Sequence, residues 1–257
     1  MLLKDKVCII TGVSSLRGIG YATAALFAEQ GAKIAAINLA MTDQITANIT
    51  DAIAERTGDA SDIHTAACDI TSRDDCAAAV AATIERFGRL DCLVNCAGIV
   101  GSQGMLDITE DEFEKMITVN LTGSFNICRS VLPALVAQGS GSIVNVASAA
   151  AQRGGGSVGA SHYAASKGGV ISLTRTMARE FGPAGVRANV VCPSMTETGM
   201  LDGRVSEDHL QEIANSIPLR RAGRAADVAG ACLYLASDLA AYVTGATIDV
   251  NGGSHIH

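Results

Sequence analysis

The sequence predicts an α/β fold: a single doubly wound domain whose seven-stranded parallel sheet carries helices on both faces. Three observations carry this expectation. Short runs rich in Val and Ile alternate with longer Ala-rich helical stretches, the pattern of βαβ units. A glycine-rich turn follows the first strand-like run at once. The chain has 257 residues, 48% of them apolar and none of them Trp, enough to bury a full core built from Val, Ile, Leu and Ala.

Met1–Lys6 leads directly into Val7-Cys8-Ile9-Ile10, the first strand. A helix at 18–30, a strand at 33–37, a helix at 43–57, a strand at 62–67 and a helix at 72–87 follow in alternation. The runs at 90–94 and 142–147 contain Cys92-Leu93-Val94 and Ile143-Val144-Asn145-Val146, near-continuous apolar stretches of the kind a strand buried on both faces needs. A long helix at 109–138 joins them. A helix at 161–182, a strand at 187–191, a helix at 224–237 and a strand at 246–250 complete the pattern. The Gly/Ser-rich stretch Arg153–Ser161 reads as an active-site loop, and 194–217, with weak periodicity and mixed charge, as a small mobile helical lid. No linker interrupts the middle and no internal repeat stands out. Residues 1–257 therefore read as one dinucleotide-binding catalytic domain with a lid at about 194–217.

A net charge of −7 without any block of five like charges argues against nucleic acid or an anionic membrane as partner. No signal peptide is expected ahead of the first strand, and no run of eighteen apolar residues predicts a spanning helix. The eight cysteines form no CxxC pair and have no His cluster beside them. They read as small buried apolar residues in a reduced cytoplasm, with no metal site.

The chemistry centres on His162-Tyr163-Ala164-Ala165-Ser166-Lys167, where Tyr163 and Lys167 lie one helical turn apart on one face. A phenol titrates near ~10, and a fixed ammonium beside it favours the phenolate. Such a tyrosine can exchange a proton with an alkoxide near neutral pH. Ser148 lies 15 residues upstream at the end of a strand-like run. The turn Thr11-Gly12-Val13-Ser14-Ser15-Leu16-Arg17-Gly18-Ile19-Gly20 sits between a strand and a helix, as a pyrophosphate cradle does.

With these motifs the chain resembles the classical short-chain dehydrogenase/reductase family, over nearly its whole length. Thr11, Gly12, Gly18 and Gly20 match the family's Thr-Gly…Gly-x-Gly turn, with two extra residues between Gly12 and Gly18. Asn95-Cys96-Ala97-Gly98 is similar to the family's Asn-Asn-Ala-Gly strand end, with Cys in place of the second Asn. Cys68-Asp69-Ile70 resembles its adenine-holding Asp segment, and Pro193-Ser194-Met195-Thr196-Glu197-Thr198 its Pro-Gly motif, with Ser in place of Gly. Thr247–Gly253 resembles its last strand. The resemblance implies a Rossmann-like fold and an NAD(P)-dependent oxidoreductase that interconverts a ketone or aldehyde and an alcohol. It implies a catalytic tetrad of Asn120, Ser148, Tyr163 and Lys167: Tyr163 as acid/base, Lys167 lowering its pKa and binding the nicotinamide ribose, Ser148 bonding the substrate oxygen, and Asn120 holding a water that links Lys167 to solvent. The cofactor contacts it implies are Gly12, Ser14, Arg17, Gly18, Ile19, Gly20, Asn38, Asp69, Ile70, Asn95, Ala97, Gly98, Tyr163, Lys167, Pro193, Thr196 and Thr198. It also implies a homotetramer. A dinucleotide-binding sensor or scaffold of the same fold is the alternative.

The family's NAD users mostly carry Asp at the end of strand two, where this chain has Asn38. Asn repels no 2′-phosphate, and Arg17 precedes Gly18 where some NADP users place a cation. NADP(H) is the expected cofactor, with NAD(H) the alternative. The expected site is roofed by Ala149, Gln152, the 154–162 loop and the lid, mostly small neutral residues that suit a modest polar carbonyl or hydroxyl compound. The family's acyl-carrier-protein reductases carry basic residues where this chain has Gln138-Gly139-Ser140-Gly141 and Gly182-Pro183-Ala184-Gly185, which argues against acyl-carrier substrates.

Overall fold

The computed structural model describes residues 1–156, 158–199 and 206–256. The seven strands of the main sheet are β1 (Val7–Thr11), β2 (Lys33–Asn38), β3 (Ile63–Ala67), β4 (Cys92–Asn95), β5 (Gly141–Val146), β6 (Val186–Pro193) and β9 (Thr247–Val250). They are all parallel, in the order β3-β2-β1-β4-β5-β6-β9. The order reverses between β1 and β4. That switch point leaves a crevice beyond the carboxyl ends of the strands, where such sheets bind ligands.

The strand side chains alternate between two cores. Cys8, Ile10, Ile34, Ala36, Val94 and Val144 point to one face, where α1 (Ile19–Glu29), α2 (Asp43–Thr57) and α9 (Ala225–Ala236) cover them. Val7, Ile9, Ala35, Ile37, Leu93 and Ile143 point to the other, beneath α3 (Arg73–Phe87), α5 (Gly123–Gln138) and α7 (Ser161–Phe181). Each fully buried aliphatic side chain contributes ~1.5–3 kcal/mol, so this two-sided burial is what holds the sheet together.

Local signals set the helix ends. The Thr42 hydroxyl accepts the Ile45 N–H at 3.3 Å to start α2, and Ser72 accepts the Asp75 N–H at 3.2 Å to start α3. Gly58 and Gly88, at φ +83° and +79°, end them in the left-handed region. A reciprocal Thr109–Glu112 capping box opens α4 (Glu110–Ile117).

The structure departs from the sequence-based expectations in three places. The 109–138 helix is interrupted at Thr118–Thr122, where the Gly123 N–H reaches five residues back to the Thr118 carbonyl. This π-helical turn shifts the register between α4 and α5 and turns Asn120 inward. A short helix, α6 (Ala150–Arg153), precedes the glycine loop. A two-residue ladder joins β7 (Thr196–Glu197) to β8 (Gly223–Arg224), anchoring both ends of the lid region. Within that region α8 (Glu207–Ser216) is helical, capped by Ser206; positions 200–205 of the expected lid, and 157 of the glycine loop, lie outside the described residues.

Candidate active site

Two connected hollows lie beyond the carboxyl ends of the sheet. The larger, about 1350 Å³, runs from the turn after β1 past the ends of β2 and β3. The smaller, about 170 Å³, lies over the ends of β5 and β6. Ile19, Cys96, Gly98, Ile99, Val100 and Thr198 line both, so they form one continuous cleft.

The wall of the larger groove contains Gly12, Ser14, Gly18, Ile19, Gly20, Asn38, Asp69, Ile70, Ala97, Gly98 and Thr198 of the expected cofactor residues. Gly12 sits at φ +73°, and a Cβ there would lie 3.0 Å from the Ala97 nitrogen. A Cβ on Gly20 would lie 2.5 Å from the Gly12 carbonyl oxygen. The two glycines thus let α1 start against the turn with backbone N–H groups open to the groove, a cradle that suits a pyrophosphate. Ser14 to Arg17 are exposed, and Ser14 and Ser15 lie on the groove wall. The Asn38 amide, oriented so that its oxygen accepts the Leu39 and Ala40 N–H groups at 3.3 and 3.2 Å, closes the β2 turn on itself and brings no negative charge. Asp69 Oδ1 accepts both the Thr71 N–H (2.8 Å) and its hydroxyl (2.7 Å), which fixes the carboxylate on the wall.

Arg17 and Asn95 do not line the cleft. Arg17 is exposed and is not among the residues of the cleft wall. Asn95 is buried and faces the core: the Thr11 hydroxyl donates to its Oδ1 at 2.8 Å, and its Nδ2 donates to Ser124 (2.9 Å) and Asn145 (3.2 Å). Thr11 Oγ1 in turn accepts the Ala97 N–H at 2.9 Å. This polar chain ties β1, β4 and α5 together and sets where Ala97 and Gly98 emerge, so Asn95 shapes the cleft from behind. Cys96 lines both hollows.

Ser148, Tyr163, Lys167, Pro193, Thr196 and Thr198 line the smaller cavity. The Tyr163 phenol and the Ser148 hydroxyl line the same wall, and Ser148 Oγ accepts the Ala150 N–H at 3.1 Å. Gly159, at φ +99°, packs where a Cβ would meet the Tyr163 ring at 2.6 Å, so only glycine lets the loop cover the tyrosine. The buried Lys167 donates to the Val146 carbonyl at 2.9 Å, and its Nζ would lie 3.2 Å from a Cβ on Gly98.

The expected depression of the Tyr163 pKa by Lys167 is corrected here. Burial raises the phenol above its ordinary value; the neighbouring Ser148 side chain pulls it down, and Lys167 is not among the groups that shift it. Lys167 itself is brought down to about 8, chiefly by burial.

Asn120 stands behind the wall. Its Oδ1 accepts the Ile99 N–H (2.8 Å), and its Nδ2 donates to the Ile99 carbonyl and to Ser166 Oγ (both 3.0 Å). Ser166 Oγ donates to the Tyr163 carbonyl at 2.8 Å. The amide therefore joins the segment after β4 to the helix that carries Tyr163 and Lys167. Gln152, expected in the roof, is turned away; its Nε2 donates to Asp249 at 2.8 Å. Arg153, the first residue of the stretch read as an active-site loop, and Ser254 line the cavity instead. The reading of a mostly neutral roof left out the charge of Arg153, and Ser254 follows the last strand with no local signal.

Comparison with known proteins bears on this geometry. A family model described as Enoyl-(Acyl carrier protein) reductase matches residues 12–255. The chain is 42% identical to an uncharacterised short-chain type dehydrogenase/reductase, y4mP, of Sinorhizobium fredii, over 100% of both chains. This chain is a short-chain dehydrogenase/reductase. It is also 38% identical to the 3-oxoacyl-[acyl-carrier-protein] reductase FabG of Thermotoga maritima, over 98% of this chain and 99% of that one. Among solved structures, levodione reductase superposes with a TM-score of 0.90 at 34% identity, covering 98% of each chain. As a short-chain dehydrogenase/reductase, the protein is an NAD(P)-dependent oxidoreductase that interconverts a carbonyl compound and an alcohol. Among the described residues no helix is long and apolar enough to cross a membrane.

Proposed function

We propose that the enzyme acts on a small ketone/alcohol pair, with Tyr163 as proton donor in reduction and acceptor in oxidation. The observation that carries this reading is the placing of Tyr163, Ser148 and Lys167 together on the wall of a cavity continuous with a dinucleotide-sized groove. When bound, the nicotinamide cofactor supplies or accepts the hydride. Gly12, Gly18 and Gly20 would cradle its pyrophosphate, Asp69 and Ile70 its adenine, and Lys167 with Thr198 its nicotinamide end. A substrate oxygen beside Ser148 Oγ and the Tyr163 hydroxyl takes two hydrogen bonds, which strengthen as charge develops on it. In reduction the Tyr163 proton passes to that oxygen. Lys167, with its pKa about 8, stays mostly protonated at pH 7 and keeps an ammonium at the reacting end of the cavity. Asn120 positions the Tyr163 helix against the segment after β4, and its proposed role in ordering a water beside Lys167 rests on its nearness to Gly98 and Lys167.

NADP(H) is the cofactor this reading prefers. Its support is the lack of a carboxylate at the β2 end of the groove, where Asn38, Leu39, Ala40, Ser14 and Ser15 form the wall. The homotetramer belongs to the same reading: Phe113 and Phe125 on α4 and α5, and Leu239, Tyr242 and Ile256 near the C-terminal strand, are exposed apolar side chains in two separate regions. A reducing, cytoplasmic setting fits the eight unpaired cysteines.

The test is a cofactor-linked screen of small ketones and alcohols with NADH and NADPH in parallel. Turnover favouring NADPH supports the reading. Tight dinucleotide binding without turnover of any compound would favour a sensor instead. Light scattering at micromolar protein tests the assembly, and a monomeric mass contradicts it.

A further inference from the structure

We infer that the substrate carries an anionic group, a carboxylate or an oxyanion of similar size, and that Arg153 is the residue that recognises it. This rests on the small-carbonyl reading above and names its substrate class.

The argument starts from the composition of the cavity wall. Ile99, Val100, Val158, Met195, Ile213 and Ile217 make most of it apolar. Its described residues include two cations, Lys167 and Arg153, and no Asp or Glu, in a chain whose net charge is −7. Lys167 lies at the reacting end, tied to the Val146 carbonyl. Arg153 therefore gives the rest of the wall its only positive charge among the described residues.

An exposed arginine is ordinarily a solvated one, and Arg153 is exposed. Its setting argues for more. It ends α6, five residues after Ser148, and Gly154 and Gly155 at φ +85° and +108° fold the following chain back over it. Arg153 Nε donates to the Gly155 carbonyl at 2.9 Å. Gly156 lies so close that a Cβ there would sit 2.5 Å from Nη2. The loop thus holds the guanidinium on the wall, with one of its donors used locally. Among the described residues the Nη groups have no hydrogen-bond acceptor. A planar fork held at its root and open at its tip matches a carboxylate. Ser254 adds a second donor to the same wall: its Oγ is buried without a protein partner among the described residues. A neutral ketone would use neither group.

The experiment pairs straight-chain methyl ketones of four to seven carbons with their counterparts bearing a terminal carboxylate, assayed with the preferred cofactor on the full-length enzyme. Wild type should favour the oxo acid over its neutral partner by at least tenfold in kcat/KM at the best chain length, mostly through KM. Arg153→Gln should remove that preference, bringing kcat/KM for the oxo acid down to the level of its neutral partner. Arg153→Lys should restore part of it. Calorimetric binding of the best oxo acid to the Tyr163→Phe enzyme loaded with oxidised cofactor should weaken by a similar factor when Arg153→Gln is added. Thermal melting checks that each variant is folded. Neutral ketones turned over as well as oxo acids, or a preference that survives Arg153→Gln, overturns the anion site and leaves the small-carbonyl reading standing. No turnover and no binding across both series overturns the two together.

Discussion

Asn120 and Ile99 exchange two hydrogen bonds: the Ile99 N–H donates to Asn120 Oδ1 at 2.8 Å, and Asn120 Nδ2 donates back to the Ile99 carbonyl at 3.0 Å. The pairing closes over twenty-one positions and fixes the segment that lines both hollows. Asn120→Ala leaves both Ile99 groups and the Ser166 hydroxyl without this partner in a largely dry setting. The expected loss is about 1–3 kcal/mol, read from urea unfolding at constant slope. An unchanged midpoint would mean that the clamp contributes nothing to stability.

Tyr163→Phe removes one hydroxyl and keeps the ring that packs on Gly159. Turnover should vanish while cofactor affinity holds within a few-fold. Retention of more than about a tenth of wild-type kcat, ~1.4 kcal/mol of barrier, would take Tyr163 out of the proton-transfer role.

A Cβ on Gly20 meets the Gly12 carbonyl oxygen at 2.5 Å, and that oxygen belongs to backbone that cannot swing aside. Gly20→Ala should push α1 off the turn and weaken dinucleotide binding at least tenfold, measured by calorimetry. Gly168→Ala, at a helical position where a Cβ meets nothing within 4 Å, is the control and should bind normally.

Asn38→Asp should shift the kcat/KM ratio toward NAD(H) by at least tenfold, because a carboxylate there faces the 2′-phosphate. The shift should shrink as salt rises, since the groove is open to solvent. Arg17→Ala should change the ratio much less, because Arg17 lies outside the wall. Parallel kinetics with both cofactors at two ionic strengths decide between them.

Stability should fall as pH rises above about 9. Burial pushes the Cys96, Cys128 and Cys192 thiols up to about 12, and raises Cys232 as well. Between about 9 and 12 the folded chain keeps protons that the unfolded chain releases, so unfolding becomes easier as pH climbs. Lys167 acts in the opposite sense: depressed to about 8 from 10.5, it gives up its proton in the folded state first, so its contribution rises with pH across that window. One ammonium does not offset four thiols. Urea midpoints under reducing conditions at pH 8, 9.5 and 11 should therefore decline, and Lys167→Met should steepen the decline.

Much of this protein is written locally. The strands and main helices fall within a few residues of where periodicity puts them, because each is set by its own alternation, cap or terminal glycine, as at Thr42, Ser72, Gly58 and Gly88. The Tyr163–Lys167 turn and the Gly12–Gly20 cradle are equally local, since their spacing along the chain fixes their distance in space. What the sequence could not determine by itself were the long-range choices. Asn95 looked like a cofactor contact but turns inward, because Thr11, Ser124 and Asn145 meet it only after β1, β4, β5 and α5 assemble. The expected lowering of the Tyr163 pKa gave way to burial, a property of the packed cavity and not of the helix turn. Arg153 and Ser254, about a hundred residues apart, share one cavity wall only because the α6 turn and the segment after β9 converge above the sheet. Spacing along the chain fixes which neighbours a helix turn presents; which distant groups share a wall, and how much water they lose, is decided when the layers close.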